Sequence, residues 1–381
     1  MTVRGHCTTT ALLVGLTCAL VTGAGAARGA AGERDVHATG GTGPGSAAAG
    51  GVRLSIPRPT GRHPVGVRST FVRDPTRTEP TTGGPRAIPA WVWYPAERRG
   101  GPAAPYFSAP IQATIEQAFG LPAGLFDIDT HATAGAPARR RARGVLLFMG
   151  GFGTPAALYT GLTTELASRG YVVVAFDHPH ETFVVDQPDG PPIPRDTADS
   201  AAAFQARLLD VGAVLDALGA LVPRTGRRHT PIGILGHSSG GAAAGEAMLL
   251  HGALRAGVNL DGFIPGGALL PGGRLLTEGL DRPFGLMLSL DLRPDDLREI
   301  ETFLSNMRAP HPVRSLATHH YGFSDFVVFN PQAQRAVPAL GTALETSFAT
   351  GTLESVRAGR RALAQQRAFL TGFFDRHLGA P

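Results

Sequence analysis

The sequence contains no lysine: all 35 basic residues are arginine. They face 30 carboxylates, and a net charge of +5 over 381 residues is too thin to point to a nucleic-acid partner. Cysteine is nearly absent, with Cys7 and Cys18 the whole supply. A disulfide scaffold, a Cys₄ zinc site and an iron–sulfur cluster are therefore excluded. Charge is scarce too. Charged residues make up 17% and hydrophobic ones 43%, so the chain is no disordered polyelectrolyte and can bury a large core. Long apolar runs are missing as well. Residues 11–21 form a run of about half the roughly 20 residues that a membrane-spanning helix needs, and no later stretch reaches that length.

What stands at the start is an address. Arg4 and His6 precede the 11–21 run, and small residues fill 22–27, with an A-x-A pattern at Ala24-Gly25-Ala26. This predicts a secretory signal peptide over 1–26 and an exported, soluble product. A lipid anchor on Cys18 fits poorly, because Thr17 precedes it and it lies inside the apolar run. Removal of the signal takes both cysteines and Arg4, leaving 34 Arg against 30 acids. Residues 27–50, rich in Gly, Ala and Ser, read as a flexible leader. The remaining stretch, 51–381, is large for one domain but normal for a single sheet with helices on both faces.

Strand and helix patterns alternate through that stretch. Residues 52–56 and 90–94 are short β-rich runs bounded by Pro and Gly. Three runs follow, 144–149 (GVLLFM), 171–176 (YVVVAF) and 231–235 (PIGIL), each apolar on both alternating faces as a buried parallel sheet requires. Between them lie two helical segments. The first, 156–169, is closed by Gly170; the second, 199–221, carries Phe204, Leu208, Val211, Leu215 and Leu218 at helical spacing. Further strands are expected at 257–260, 283–290 and 313–317, and a last helix with Phe369, Phe373 and Phe374 on its apolar side. The pattern predicts a doubly wound α/β sheet with its site beyond the carboxyl ends of the strands.

At that end of PIGIL the chain reads Gly236-His237-Ser238-Ser239-Gly240-Gly241 and enters a small-residue helix. G-x-S-x-G between a strand and a helix is a nucleophile elbow: a strained turn exposes the serine hydroxyl, and glycines on either side permit close strand–helix approach. A serine needs a base held by an acid. His319 and His320, after the 313–317 strand, are the histidines in the right zone. His311 enters that strand from the wrong end, His251 lies behind the elbow, and His377 sits in the terminal helix. Asp261 and Asp291 each follow a strand, and position alone does not choose between them. The oxyanion needs two backbone N–H donors. Ser239 supplies one, and Gly150-Gly151-Phe152-Gly153, after the GVLLFM strand, places Phe152 to supply the other.

Together these residues resemble the platelet-activating-factor acetylhydrolase family of α/β-hydrolases. The likeness runs from Ile56-Pro-Arg-Pro-Thr-Gly-Arg-His-Pro-Val-Gly66 through Trp93-Tyr94-Pro95, Gly151-Phe152-Gly153 and Leu158-Tyr159. It continues in Gly236-His237-Ser238-Ser239-Gly240-Gly241, Asn259-Leu260-Asp261-Gly262 and His320-Tyr321-Gly322-Phe323-Ser324-Asp325-Phe326. The resemblance implies an α/β-hydrolase fold, Asp261 as the acid and His320 as the base. It also implies short-acyl phospholipid esters as substrates, with no metal or organic cofactor. One departure is Gly150-Gly151, where the family often has His-Gly. A lipase- or cutinase-like esterase is the alternative within this class, and a hydrolase-fold binding protein without chemistry is the alternative outside it.

Three features are weaker. Ile111, Ile115 and Phe119, within 106–126, recur at helical spacing and suit either core packing or a lid facing a lipid interface. His178-Pro179-His180 has the spacing of a metal pair, but without further ligands it reads as part of the site's rim. Arg139, Arg140, Arg141 and Arg143 read as a solvated loop.

Overall fold

The computed structural model describes residues 52–118, 121, 123–198, 201–222, 230–336 and 356–379. The segments read as signal and leader, and Phe119, lie outside these. The three double-faced apolar runs form adjacent parallel strands: β6 (Val145–Met149), β7 (Val172–Phe176) and β10 (Ile232–His237). Their alternation separates two cores. Leu146 and Phe148 face one, while Val145, Leu147 and Met149 face the other. Helices α2 (Thr160–Ser168) and α8 (Val356–His377) cover the first face through Leu162, Leu166, Leu363 and Leu370. Helices α3 (Ala201–Leu221) and α4 (Ser239–Leu250) cover the second through Phe204, Leu208, Val211 and Ala243. No strand face in the middle of the sheet reaches solvent, which is why those runs lack polar residues.

Among the described residues the sheet has nine strands. Beyond β10 it continues through β11 (Leu254–Leu260), β12 (Phe284–Leu288) and β13 (Val313–Ser315), all parallel. On the other side, β7 pairs with antiparallel β3 (Pro85–Pro95), then β2 (Val65–Thr78) and the short β5 (Ala132–Ala134). Among the described strands only β3 runs against the rest. A small parallel pair joins β1 (Val52–Ser55) to β4 (Phe126–Asp129), and a hairpin joins β8 (Val184–Val185) to β9 (Ile193–Pro194). The remaining helices are α1 (Ala109–Ala118), α5 (Leu275–Glu278), α6 (Pro294–Asn306) and α7 (Phe326–Ala336).

The 14-residue β2 is the longest strand that periodicity did not predict, and α7 is a helix it did not predict. In β2, Arg68, Arg73 and Pro75 interrupt the apolar residues where the strand is exposed, while Asp74 is buried and accepts from Thr76 and Arg77, with a register shift after it. The 156–169 helix begins with a 3₁₀ turn, and Gly170, at φ +107°, closes it as expected. In α1, Ile111 is buried and Ile115 half-buried. The arginines at 139–141 and 143 are exposed, as read.

One buried carboxyl ties the layers together. Asp325 accepts the Gly161 N–H at the start of α2 (3.0 Å) and the Tyr106 hydroxyl (2.9 Å). Burial still outweighs these hydrogen bonds and pushes the acid up to about 7. The folded chain therefore holds a proton that the unfolded chain has lost above pH ~4, and this group's contribution to stability declines as pH rises from about 4 to about 7. Asp325→Asn should flatten that decline by up to about 1.4 kcal/mol per pH unit. Chemical denaturation of both proteins from about pH 5 to about pH 8 checks it; parallel curves would mean that the proton resides elsewhere.

Candidate active site

Strand β10 ends at His237, and Ser238 takes φ +54° and ψ −124° before α4 begins. That left-handed conformation costs a non-glycine residue about 1–3 kcal/mol and survives only where packing over-determines it. The packing is explicit. A Cβ on Gly236 would lie 2.4 Å from the Gly240 backbone, and one on Gly240 would lie 2.5 Å from the Met149 and Gly150 carbonyl oxygens. The two glycines of the motif thus let β10, α4 and the loop after β6 converge on one point, with the serine at its apex.

The candidate acid comes from the end of β11. Asp261 also has positive φ, +56°, in a turn that Asn259 clamps by accepting the Gly262 N–H (2.6 Å) and donating to its carbonyl (3.0 Å). Gly262 must be glycine, since a Cβ there would meet the Ser238 carbonyl at 2.2 Å. One carboxylate oxygen of Asp261 accepts the Ser289 N–H at 2.6 Å, and the other lies 2.6 Å from His320 Nδ1. The His320 ring is partly exposed and stands 4.5 Å, centroid to centroid, from the ring of His237, the residue before Ser238. Among the described residues no hydrogen bond engages the Ser238 hydroxyl.

The acid that spacing left open, Asp291, contacts the same segment differently. Its Oδ1 lies 2.6 Å from His319 Nδ1, and its Oδ2 accepts the backbone N–H of His320 at 2.7 Å. Asp261 therefore faces the His320 ring, while Asp291 holds the His320 backbone.

The glycine loop after β6 is fixed carbonyl by carbonyl. Gly150 C=O accepts from Arg207 Nη1 (2.7 Å), Gly151 C=O from the Thr154 N–H (3.0 Å), Phe152 C=O from the Thr154 hydroxyl (3.3 Å) and Gly153 C=O from the Phe183 N–H (3.0 Å). The Gly151 N–H is also taken, by the Tyr159 hydroxyl. Among the described residues the amides of Phe152 and Ser239 are left without an acceptor. The Arg195 guanidinium lies 5.3 Å from the centroid of the Phe152 ring and packs the loop from outside.

Arg207 was not anticipated. It is fully buried on the inner face of α3 and ion-paired to Glu181. One turn further along, Asp210 binds Arg86 and Arg77, and accepts from His178 Nδ1 at 2.8 Å. Burial alone would raise the Asp210 acid, yet the hydrogen bonds from Arg86 and His178 hold it far below its usual range. His178 and His180 are both engaged with carboxylates: His178 lies on Asp210, and His180 on Asp196 and Glu79. Among the described residues no group of three or more His, Cys, Asp or Glu side chains is arranged to hold a metal.

The parallel sheet with one reversed strand and the strained turn at Ser238 define an α/β-hydrolase fold. A ferulic acid esterase from Streptomyces cinnamoneus superposes on 86% of this chain and 95% of its own, with a TM-score of 0.69 and 28% identity. A probable 1-alkyl-2-acetylglycerophosphocholine esterase from Arthroderma benhamiae is 34% identical over 134 residues, 34% of this chain. The match spans only 33% of that relative's length. No family model matches.

If Asp261 orients the ring and Asp291 only the backbone, their amides should differ in effect. Asp261→Asn should lower kcat by roughly 10³- to 10⁴-fold, and Asp291→Asn by about tenfold or less. Steady-state hydrolysis of a p-nitrophenyl ester measures both, and the reverse ranking would move the acid to Asp291.

Proposed function

We propose that this chain is a secreted serine esterase that hydrolyses carboxylic esters through Ser238, His320 and Asp261. The observation that carries the reading is the Asp261–His320 contact of 2.6 Å beside a serine held at positive φ. His320 takes the Ser238 proton as the hydroxyl attacks the ester carbonyl. Asp261 holds the imidazole in the tautomer with Nε2 free to accept, and stabilises the imidazolium that forms. The developing oxyanion is held by the Phe152 and Ser239 amides. His320 returns the proton to the departing alcohol, and water activated by the same ring releases the acid from Ser238. Every proton passes through His320, so the reaction needs no group beyond these side chains and amides.

For the substrate, the 134-residue similarity to a glycerophosphocholine esterase supports short-acyl phospholipid esters. The wider superposition on a ferulic acid esterase favours a second reading, in which the acyl group is a bulky aromatic acid. Relative kcat/KM on a short-chain sn-2 phospholipid, methyl ferulate and a chain-length series of p-nitrophenyl esters separates the two. Export rests on Arg4, the 11–21 run and the small residues after it. N-terminal sequencing of protein recovered from culture medium should begin near residue 27.

Fluorophosphonate labelling tests the chemistry itself. Ser238 should be covalently modified, and Ser238→Ala should stay folded, resist labelling and lose roughly 10⁵- to 10⁶-fold in kcat. Ester turnover by Ser238→Ala at the wild-type rate would refute the mechanism.

A further inference from the structure

Two buried side chains join parts of the site that come from distant stretches of sequence. Tyr159 and His237 are both fully buried. The Gly151 N–H reaches the Tyr159 hydroxyl at 3.3 Å, the Tyr159 hydroxyl lies 2.8 Å from His237 Nδ1, and His237 Nε2 lies 3.0 Å from the carbonyl oxygen of His320. The directions of these bonds follow from their ends. A carbonyl only accepts, so His237 Nε2 carries the hydrogen. In a neutral ring Nδ1 then bears the lone pair and accepts from the Tyr159 O–H, whose oxygen accepts from Gly151. Burial holds the His237 imidazole neutral by pushing its pKa well below the usual value, with the neighbouring His320 acting the same way. Each donor in the chain meets one acceptor.

We propose that Tyr159 and His237 are positioning residues, forming one hydrogen-bonded chain that sets the oxyanion loop and the base segment in register with the nucleophile between them. The inference rests on the serine-esterase reading above. His237 immediately precedes Ser238, so the chain passes through the elbow. At one end, Tyr159 takes the Gly151 N–H and leaves the next amide, that of Phe152, as the free donor. At the other, His237 grips the backbone of the residue whose ring must reach Ser238. Neither side chain touches substrate; both act through groups that do. A displacement of about 1 Å in either group costs up to 10²-fold in rate, so loosening either link should be visible in turnover.

Two substitutions cut the chain at different places. Tyr159→Phe removes the hydroxyl but keeps the ring beside Phe148, 4.8 Å away between centroids. His237→Asn keeps an acceptor for Tyr159 and loses the donor to His320. Each should lower kcat and the second-order rate of fluorophosphonate labelling by about ten- to a hundredfold, with KM within threefold of wild type. The double variant should fall about as far as the worse single, because one broken chain cannot be broken twice. Thermal melting confirms that each variant is folded, and Tyr159→Phe alone decides if His237→Asn does not fold. Wild-type labelling rates in folded Tyr159→Phe would overturn the proposal, as would losses that multiply in the double variant. If wild-type protein is not labelled at Ser238, the esterase reading fails instead, and the two failures are told apart.

Discussion

Everything at this site depends on one close approach: the backbone of Gly240 against the carbonyl oxygens of Met149 and Gly150. With a side chain at 240, the first turn of α4 would have to move away from the end of β6. The Ser238 turn would then lose the packing that holds it at positive φ, and the loop carrying Phe152 would part from the helix carrying Ser239. A second close approach, Gly262 against the Ser238 carbonyl, binds the acid's turn to the same apex. Glycine here is a condition of contact between three chain segments. Their convergence makes a serine, a carboxylate and two amides neighbours.

The second layer of the site is electrostatic. An arginine buried as fully as Arg207 is costly to desolvate, and it persists because Glu181 neutralises it and Gly150 accepts from it. The same helix presents Asp210 to Arg86, Arg77 and His178. A charged layer is a stiff support, since each member lost leaves another unpaired, at about 3–5 kcal/mol for a buried pair. An apolar contact in place of Arg207 would leave the Gly150 carbonyl without its donor, and the tilt of the next peptides would then rest on Thr154, Tyr159 and Phe183.

These physical facts also explain what the sequence could convey. The central strands were legible because burial on both faces leaves only apolar residues, and the elbow because its glycines answer to steric contacts that no other residue satisfies. Strand β2 was hidden by Arg68 and Arg73, since a strand exposed over much of its length carries the charges of a loop, and by Asp74, a buried charge whose partner Arg77 only the fold shows. Arg207 and Asp210 were hidden for the converse reason. Helical periodicity counts apolar positions, and a charged residue on the buried face looks like a solvated one until its partner is seen. The choice between Asp261 and Asp291 had to come from resemblance, because both end a strand and both meet His320. Only space separates a carboxylate on a ring from one on a backbone amide. Tyr159 and His237, 78 positions apart, have no sequence pattern that would pair them.

The proposed base illustrates why a site of this kind needs more than its named members. His320 opens a four-residue 3₁₀ turn after the short outermost strand β13 and keeps part of its ring in solvent. A loop so placed has little packing of its own to fix an imidazole within the fraction of an ångström that proton transfer demands. The structure fixes it at three atoms instead. Asp261 takes the ring nitrogen, Asp291 the backbone N–H and His237 the backbone carbonyl. Three bonds on one residue leave it little freedom to rotate or slide. Two of them come from the ends of strands, β11 and β10, whose positions the sheet itself sets. The placement of the proposed base is in this way referred back to the strands of the sheet, although the residue itself stands on a short turn at the sheet's edge.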